Sequence, residues 1–278
     1  MTDANHRAAV AERAARAGGV VARGSFRGSV AVETKRDKND LVTAADRDAQ
    51  SQVVATIRQE FPGDAFLLEE DAPTLAGPEA ATDDPQEVGS VDAAGTVWVV
   101  DPIDGTSNYV RGVRTWTTSI AAVDAGRTLA SATFMPATDD LYAAGPESVT
   151  RNDETMRVSD RDDPETFSIS VVGWWPPAER AEFGDLCGVV AERFGDERRI
   201  GSFQATLAHV ADGGMEAAIC TQPTEPWDTV AGVHLVRRAG GTVTDLDGDR
   251  WEPDDVGLVA SNGTAHDAVL DAARAVID

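Results

Sequence analysis

The stretch of the sequence best suited to chemistry is Asp-Pro-Ile-Asp-Gly-Thr at residues 101–106, directly after the apolar string Val-Trp-Val-Val. That string predicts a buried strand, and Pro102, which has no N–H, predicts that the strand ends and the chain turns at Asp101. Such a turn would point the carboxylates of Asp101 and Asp104 to one place, beside the carbonyl oxygen of Ile103. Three oxygen ligands from one short loop suit Mg²⁺.

The residues after this turn, Gly-Thr-Ser-Asn at 105–108, predict the start of a helical turn. Free backbone N–H groups at a helix start could hold a phosphate beside the metal. Two aspartates on a turn would by themselves indicate an acidic surface loop, but the complete string is far more specific.

Two distant segments add carboxylates. Glu69 and Glu70 follow the apolar string Phe-Leu-Leu, and we expect Glu69 to be the metal ligand. We expect Asp228 to be the N-cap of an apolar helix that runs to Arg237 and Arg238. Taken alone, these residues indicate a solvated strand end and a helix cap, but together with the central loop they predict a metal site.

A fourth segment, Asp-Leu-Val-Thr-Ala-Ala-Asp, ends at Asp46, in the first turns of a predicted helix. With the glutamate pair, the 101–106 string and Trp227-Asp228 followed by small residues, it resembles the inositol monophosphatase family over nearly the whole chain. These are Mg²⁺-dependent, lithium-sensitive sugar phosphatases that include archaeal fructose-1,6-bisphosphatases. Four motifs in the order of the family carry the resemblance.

The resemblance implies a metal site with two to three ions. Glu69, Asp101 and the Ile103 carbonyl would hold one Mg²⁺, whereas Asp101, Asp104 and Asp228 would hold a second, with Asp101 as the bridge. Glu69 would also help to place a third, weakly held ion. Mn²⁺ could substitute, and Li⁺ is expected to inhibit.

The resemblance also implies roles in catalysis and substrate binding. Thr106 and Asp46 would orient and deprotonate the attacking water, with Glu69 and the neighbouring Glu70 completing the catalytic set. The expected substrate-binding residues are Gly105, Thr106, Lys35, Gly201 and Ser202.

Phosphate-ester hydrolysis needs charge neutralisation, an in-line water and a stabilised leaving group, all of which paired metals supply. A phosphoenzyme route is the competing mechanism, since residues 245–249 read Asp-Leu-Asp-Gly-Asp. We interpret that segment as a hairpin turn after a short strand. It lacks the terminal glutamate of a calcium loop, so Ca²⁺ binding is also the weaker interpretation.

The sequence departs from the family where the alcohol would be recognised. Phe203-Gln204 replaces a small pair, and Cys-Thr-Gln at 220–222 lies where animal members carry a substrate-binding glutamate. An inositol 1-phosphate type of substrate is therefore one hypothesis beside fructose 1,6-bisphosphate or a 3′-phosphoadenosine nucleotide, whose second phosphate Arg198 or Arg199 could hold. The hypothesis that is not enzymatic is a non-catalytic metal- or phosphate-binding regulator.

Alternating helix-like and strand-like segments predict a mixed α and β fold. The resemblance implies the layered αβαβα sandwich of sugar phosphatases, with the site between two halves and a homodimer. We place the halves at 1–145, with most metal ligands, and 146–278, with Asp228 and the substrate loops. With 278 residues and 42% hydrophobic content, the chain can bury a sizeable core.

The net charge of −24, with only two lysines, suits molar salt, in which self-repulsion is screened. We infer a halophilic source. The acidity also argues against a duplex nucleic-acid partner. Because no apolar run approaches the roughly 20 residues of a membrane span, we expect a cytoplasmic protein that acts on a small phosphate ester away from membranes.

Overall fold

The computed structural model describes residues 3–28, 32–34, 41–71 and 86–277. Lys35, a predicted substrate-binding residue, lies outside the described residues. Within them the helices are α1 Asp3–Ser25, α2 Ala44–Arg58, α3 Thr106–Val110, α4 Arg180–Arg193, α5 Phe203–Ala211, α6 Pro226–Arg238 and α7 His266–Arg274. The strands are β1 Val32–Thr34, β2 Leu41–Thr43, β3 Ala65–Leu68, β4 Thr96–Asp104, β5 Thr117–Asp124, β6 Arg127–Met135, β7 Asp140–Ala144, β8 Val149–Arg151, β9 Glu154–Thr155, β10 Ser168–Val171, β11 Asp196–Arg198, β12 Ala217–Pro223, β13 Thr242–Thr244 and β14 Val256–Ser261.

Two sheets organise these strands. The larger sheet runs in the order β3-β4-β5-β6-β7-β8-β9; its first pair is parallel and the others are antiparallel. The smaller sheet has the order β11-β10-β12-β14-β13, with parallel pairs on both sides of β10 and antiparallel pairs on both sides of β14. β1 and β2 form a separate antiparallel pair.

Helices separate and cover the two sheets. α1 and α2 pack on one face of the larger sheet, where Val53 meets Trp98 and Phe134 in a single core cluster. α5 and α6 pack on its other face and also against the smaller sheet, and α4 and α7 cover the far side of that sheet. The order of layers is therefore αβαβα, which confirms the predicted fold. No helix among the described residues is long and apolar enough to cross a membrane.

The middle layer, formed by α5 and α6, contacts both sheets. The larger sheet also crosses the predicted boundary, because β8 and β9 follow residue 145 and extend it. The division into halves at residues 145 and 146 stays a prediction.

The strand before the metal motif does not end where the sequence predicted. β4 continues through Pro102 to Asp104, but Asp101 pairs with Ser119 and Asp104 with Thr117, so three steps on β4 match two on β5. This β-bulge accommodates the proline, because its missing N–H falls where the ladder is interrupted. The predicted turn at Asp101 is therefore wrong.

The predicted N-cap of α6 is also wrong. Glu225 is the N-cap, Pro226 is the first helical residue and Asp228 is the third. Proline favours the first helical position because its fixed φ suits the helix and its missing N–H is not needed there. Asp228 therefore lies inside the first turn, where a carboxylate still benefits from the helix dipole.

Candidate metal centre

Three aspartates meet between the larger sheet and α6. Asp101 and Asp104 come from β4 and Asp228 from α6, and one carboxylate oxygen of each lies within 4.8 Å of the others. In a regular strand, residues three apart face opposite sides, but the bulge adds one residue and puts Asp101 and Asp104 on the same face. The same alternation places Val97 and Val99 in the core beside α5 and α6.

The electrostatics of this cluster are unfavourable without a cation. Burial raises the pKa of Asp101 well above its ordinary value, and the carboxylates of Glu69, Asp104 and Asp228 raise it further. The pKa of Asp228 is raised well above its ordinary value by burial, and by Asp104 and Glu69. Asp101 Oδ1 is buried and has no hydrogen-bond donor among the described residues.

Glu69, directly after β3, reaches the cluster, and Glu70 follows it in the sequence. The Glu69 N–H donates to the Val100 carbonyl (3.2 Å), and the Glu69 side chain is close enough to hydrogen bond with Asp101. Gln50 of α2 hydrogen bonds to the backbone of Glu70. Its Oε1 accepts from the Glu70 N–H (3.0 Å), and its Nε2 donates to the Glu70 carbonyl (2.8 Å). The buried Glu70 therefore has a backbone fixed by α2.

Asp104 also caps the start of α5. Its carboxylate accepts from the Ser202 hydroxyl, from the Gln204 N–H (2.6 Å) and from the Phe203 N–H (3.2 Å). Burial raises the pKa of Asp104, whereas these hydrogen bonds lower it. Gln204 in turn donates to the Trp227 carbonyl (2.6 Å), so one hydrogen-bonded chain connects β4, α5 and α6.

The predicted water-activating pair is also adjacent. Thr106 Oγ1 lies 3.4 Å from Asp46 Oδ1 and 3.0 Å from the Ile103 carbonyl oxygen. The other carboxylate oxygen, Asp46 Oδ2, accepts from the Thr43 N–H (2.8 Å) and the Thr43 hydroxyl (2.6 Å). Thr43 and Asp46 thus form the capping box of α2, and this fixes the orientation of the buried Asp46 carboxylate.

The predicted substrate-binding glycines lie together on the C-terminal side of the motif. Gly105 has a φ of 88°, and an added Cβ would lie 3.1 Å from the Gly201 carbonyl oxygen and 3.1 Å from Ser202 Cβ. Asn108 donates to the Ile200 carbonyl (2.9 Å) and the Gly201 carbonyl (3.2 Å). The Ser202 hydroxyl, which also accepts from the Ala205 N–H, is used within the protein. The roles of Gly201 and Ser202 towards a substrate stay predictions.

Sequence reasoning missed the residues that support the site. Thr43 was detectable, because a threonine three residues before an acid at a helix start is the pattern of a capping box. Gln50, Asn108 and Gln204 act across long sequence separations, and no local pattern marks them.

The donor set suits a hard divalent cation. Three carboxylates with a nearby glutamate and a nearby carbonyl provide the oxygen ligands that Mg²⁺ and Mn²⁺ prefer. A cation there would offset the mutual repulsion of the carboxylates and supply a partner for Asp101 Oδ1.

Comparison with known proteins identifies the family. The sequence model of the inositol monophosphatase family matches residues 3–278. A Thermotoga maritima protein named fructose-1,6-bisphosphatase/inositol-1-monophosphatase is 30% identical over 252 residues, which cover 89% of this chain and 88% of the relative. An inositol-1-monophosphatase from Mesorhizobium japonicum is 33% identical, with 84% and 83% covered. The Nus factor SuhB of Salmonella typhimurium is 31% identical, with 94% and 93% covered.

Solved structures agree with this assignment. The IMPase of Thermotoga maritima superposes with a TM-score of 0.85 at 27% identity, covering 98% of both chains. The inositol monophosphatase of Anabaena gives 0.81 at 27% identity, covering 99% of this chain and 98% of the other. The chain belongs to the inositol monophosphatase family and is a phosphoric monoester hydrolase.

Proposed function

We propose that the protein is a Mg²⁺-dependent phosphomonoesterase that hydrolyses a polyol or sugar phosphate of the inositol 1-phosphate type by attack of water. The observation that carries this proposal is the convergence of Asp101, Asp104 and Asp228 within 4.8 Å, with Thr106 and Asp46 beside the same loop. A purely structural cluster would not need buried carboxylates held so close together.

The proposed ligand sets are those of the sequence analysis. Glu69, Asp101 and the Ile103 carbonyl would hold one cation, and Asp101, Asp104 and Asp228 would hold a second. Bound there, Mg²⁺ would lower the pKa of a water molecule, neutralise charge on the phosphate and stabilise the leaving alkoxide.

Thr106 and Asp46 supply the proton path. The Thr106 hydroxyl has one proton, which it donates to Asp46 Oδ1 or to the Ile103 carbonyl, and its lone pairs remain able to accept from water. As water attacks phosphorus, its proton passes to Thr106 Oγ1 while the Thr106 proton moves to Asp46 Oδ1. The two hydrogen bonds from Thr43 keep Asp46 oriented for this transfer.

Two substrate alternatives remain. The Thermotoga relative carries both the fructose-1,6-bisphosphatase and the inositol-1-monophosphatase name, so a sugar bisphosphate is a second candidate. A 3′-phosphoadenosine nucleotide is the third. Because other relatives are named Nus factor SuhB, a regulatory role is the candidate function that is not enzymatic.

The test is phosphate release from inositol 1-phosphate, fructose 1,6-bisphosphate and adenosine 3′,5′-bisphosphate, with Mg²⁺ in high-salt buffer. Asp101→Asn is the best inactive control, because Asp104 also holds the start of α5 and its replacement would disturb folding. Exposed Asp139→Asn is the matched variant and should keep wild-type activity.

A preference for inositol 1-phosphate that disappears in Asp101→Asn would support the proposal. A preference for one of the other two substrates would support the phosphomonoesterase reaction but contradict inositol 1-phosphate as the substrate. Folded protein that releases no phosphate from any of the three would contradict the enzymatic proposal and favour the regulatory one.

A further inference from the structure

A second concave site lies away from the metal centre, at the C-terminal end of α6. The groove has a volume of about 700 Å³, in the size range of small-molecule pockets. Its walls are the last turns of α6, the turn between β5 and β6, and residues 250–254. The rise of α6 from Asp228 to Arg237 is about 14 Å, so this groove does not share the metal ligands.

Arginines concentrate in this groove. Arg127, Arg237, Arg238 and Arg250 line it, in a chain with 48 acidic and only 24 basic residues. The acidic residues that line it are Asp92, Glu252 and Asp254, so positive charge exceeds negative charge here, opposite to the balance of the whole chain.

Arg237 is the most informative of the four. Its guanidinium donates to the Trp251 carbonyl (2.6 Å), but no carboxylate in the described part of the chain lies within ion-pair distance of it. Burial and the neighbouring Arg250 lower the pKa of Arg237 to about 10. The charge of Glu252 raises the pKa of Arg237 in the opposite direction, but Glu252 already pairs with Arg250 at 3.4 Å. A half-buried cation next to a second cation would gain from an anion.

A further polar group of the groove lacks a partner. Trp251 is buried, and its indole N–H has no acceptor among the described residues. Unsatisfied buried donors are uncommon in proteins and indicate a missing partner.

The remaining surface of the groove is apolar. Val123, Val230 and Val233 line it together with Trp251 and Pro253. Val123, Val230, Val233 and Trp251 expose only 2–4% of their surface. The advantage of an organic anion over an inorganic ion is therefore van der Waals contact with these side chains.

We propose that this groove binds a small organic anion, with a phosphate or carboxylate group at Arg237, Arg127 and Arg250 and an apolar or aromatic part against the valines and Trp251. Nothing in the chemistry of the metal centre requires this site.

Phenyl phosphate is a suitable probe, titrated calorimetrically into protein freed of divalent cations by EDTA. Without cations the acidic metal centre repels phosphate, so the remaining binding reports on the groove. Inorganic phosphate serves as the comparison. The salt concentration should be the lowest at which the protein stays folded, since charge pairing weakens with ionic strength.

We expect saturable one-to-one binding of phenyl phosphate, at least tenfold tighter than that of inorganic phosphate. Arg237→Gln should weaken it at least tenfold. Because Arg127 and Arg250 are exposed, the double variant Arg127→Gln/Arg250→Gln tests the same site without risk to the core. Arg13→Gln, an exposed arginine paired with Glu60 away from the groove, is the matched control and should bind as the wild type does.

Absence of binding to the chelated wild type would overturn the proposal. Unchanged affinity in both Arg237→Gln and the double variant would also overturn it, by placing the ligand elsewhere. Equal affinities for phenyl phosphate and inorganic phosphate would contradict the proposal that the ligand has an apolar or aromatic part.

Discussion

At the scale of single residues, the sequence indicates which carboxylates come together. Asp101, Asp104 and Asp228 were predicted as ligands of one ion, and the structure brings their oxygens within 4.8 Å of each other. The sequence could not show that Asp104 also holds the start of α5, because that contact joins residues about 100 positions apart. Local patterns identify chemistry, whereas contacts between distant segments depend on the fold.

Replacing Thr106 by alanine tests the proton path. We expect the kcat for phosphate release to fall by about 10²- to 10⁴-fold, since this is the usual contribution of a positioned proton-transfer group. Mg²⁺ binding should persist, because the three clustered carboxylates remain. The measurements are steady-state kinetics and calorimetric titration with Mg²⁺.

Thr106→Ser keeps the hydroxyl and should recover most of the activity, and the exposed Thr138→Ala should behave as the wild type. Wild-type kcat in Thr106→Ala would contradict the assigned role.

At the scale of elements, the bulge in β4 is what the sequence missed. A proline after an apolar string predicts the end of a strand, but β4 includes Pro102 and continues to Asp104. Proline is compatible with either outcome, and the choice depends on pairing with β5, which no local pattern specifies. The helix starts at Ala44 and Thr106 were easier to predict, because capping and glycine patterns are local.

Gly105→Ala tests the turn that joins β4 to α3. The left-handed conformation at φ 88° costs an L-residue about 1–2 kcal/mol, and the added Cβ would press against the Gly201 carbonyl. We expect the free energy of unfolding, measured with urea, to fall by at least this amount. Gly63→Ala, where an added Cβ meets no atom within 4 Å, is the control; equal stability losses in the two variants would count against this explanation.

His234 on α6 predicts a pH dependence of stability. Burial and the nearby Arg238 and Arg237 lower its pKa from 6.5 to about 3 in the folded protein. At pH 7.5 the ring is neutral in both states, but below pH 6.5 only the unfolded chain takes up the proton. The free energy of unfolding should therefore lose about 1.4 kcal/mol per pH unit between pH 6 and 4 from this residue alone.

The measurement is urea unfolding of wild type and His234→Gln at several pH values. The stability difference between wild type and variant should shift in favour of the variant as the pH falls. A difference that stays constant from pH 7.5 to 4.5 would show that His234 is not a buried neutral histidine.

At the scale of the whole molecule, the family resemblance predicts five layers, and the core explains why this arrangement is stable. Each sheet buries side chains on both faces, so helices must lie outside and between the sheets. The homodimer, the cytoplasmic location and the halophilic source stay predictions.

Salt should stabilise the protein as a whole. With a net charge of −24, self-repulsion is strong in dilute buffer and is screened when the Debye length falls to about 3 Å at 1 M salt. We expect the melting temperature to rise by several degrees between 0.1 and 2 M KCl, measured by thermal unfolding. A melting temperature independent of salt would argue against adaptation to high salt.

The most direct test of the central claim is phosphate release from inositol 1-phosphate, first after chelation and then during titration with Mg²⁺. We predict no release in the chelated protein, a saturable increase with Mg²⁺, and a rate at least 10³-fold lower in Asp101→Asn at every Mg²⁺ concentration. Undiminished release in the presence of chelator, or equal rates in Asp101→Asn and the wild type, would contradict the assignment of this cluster as the metal centre.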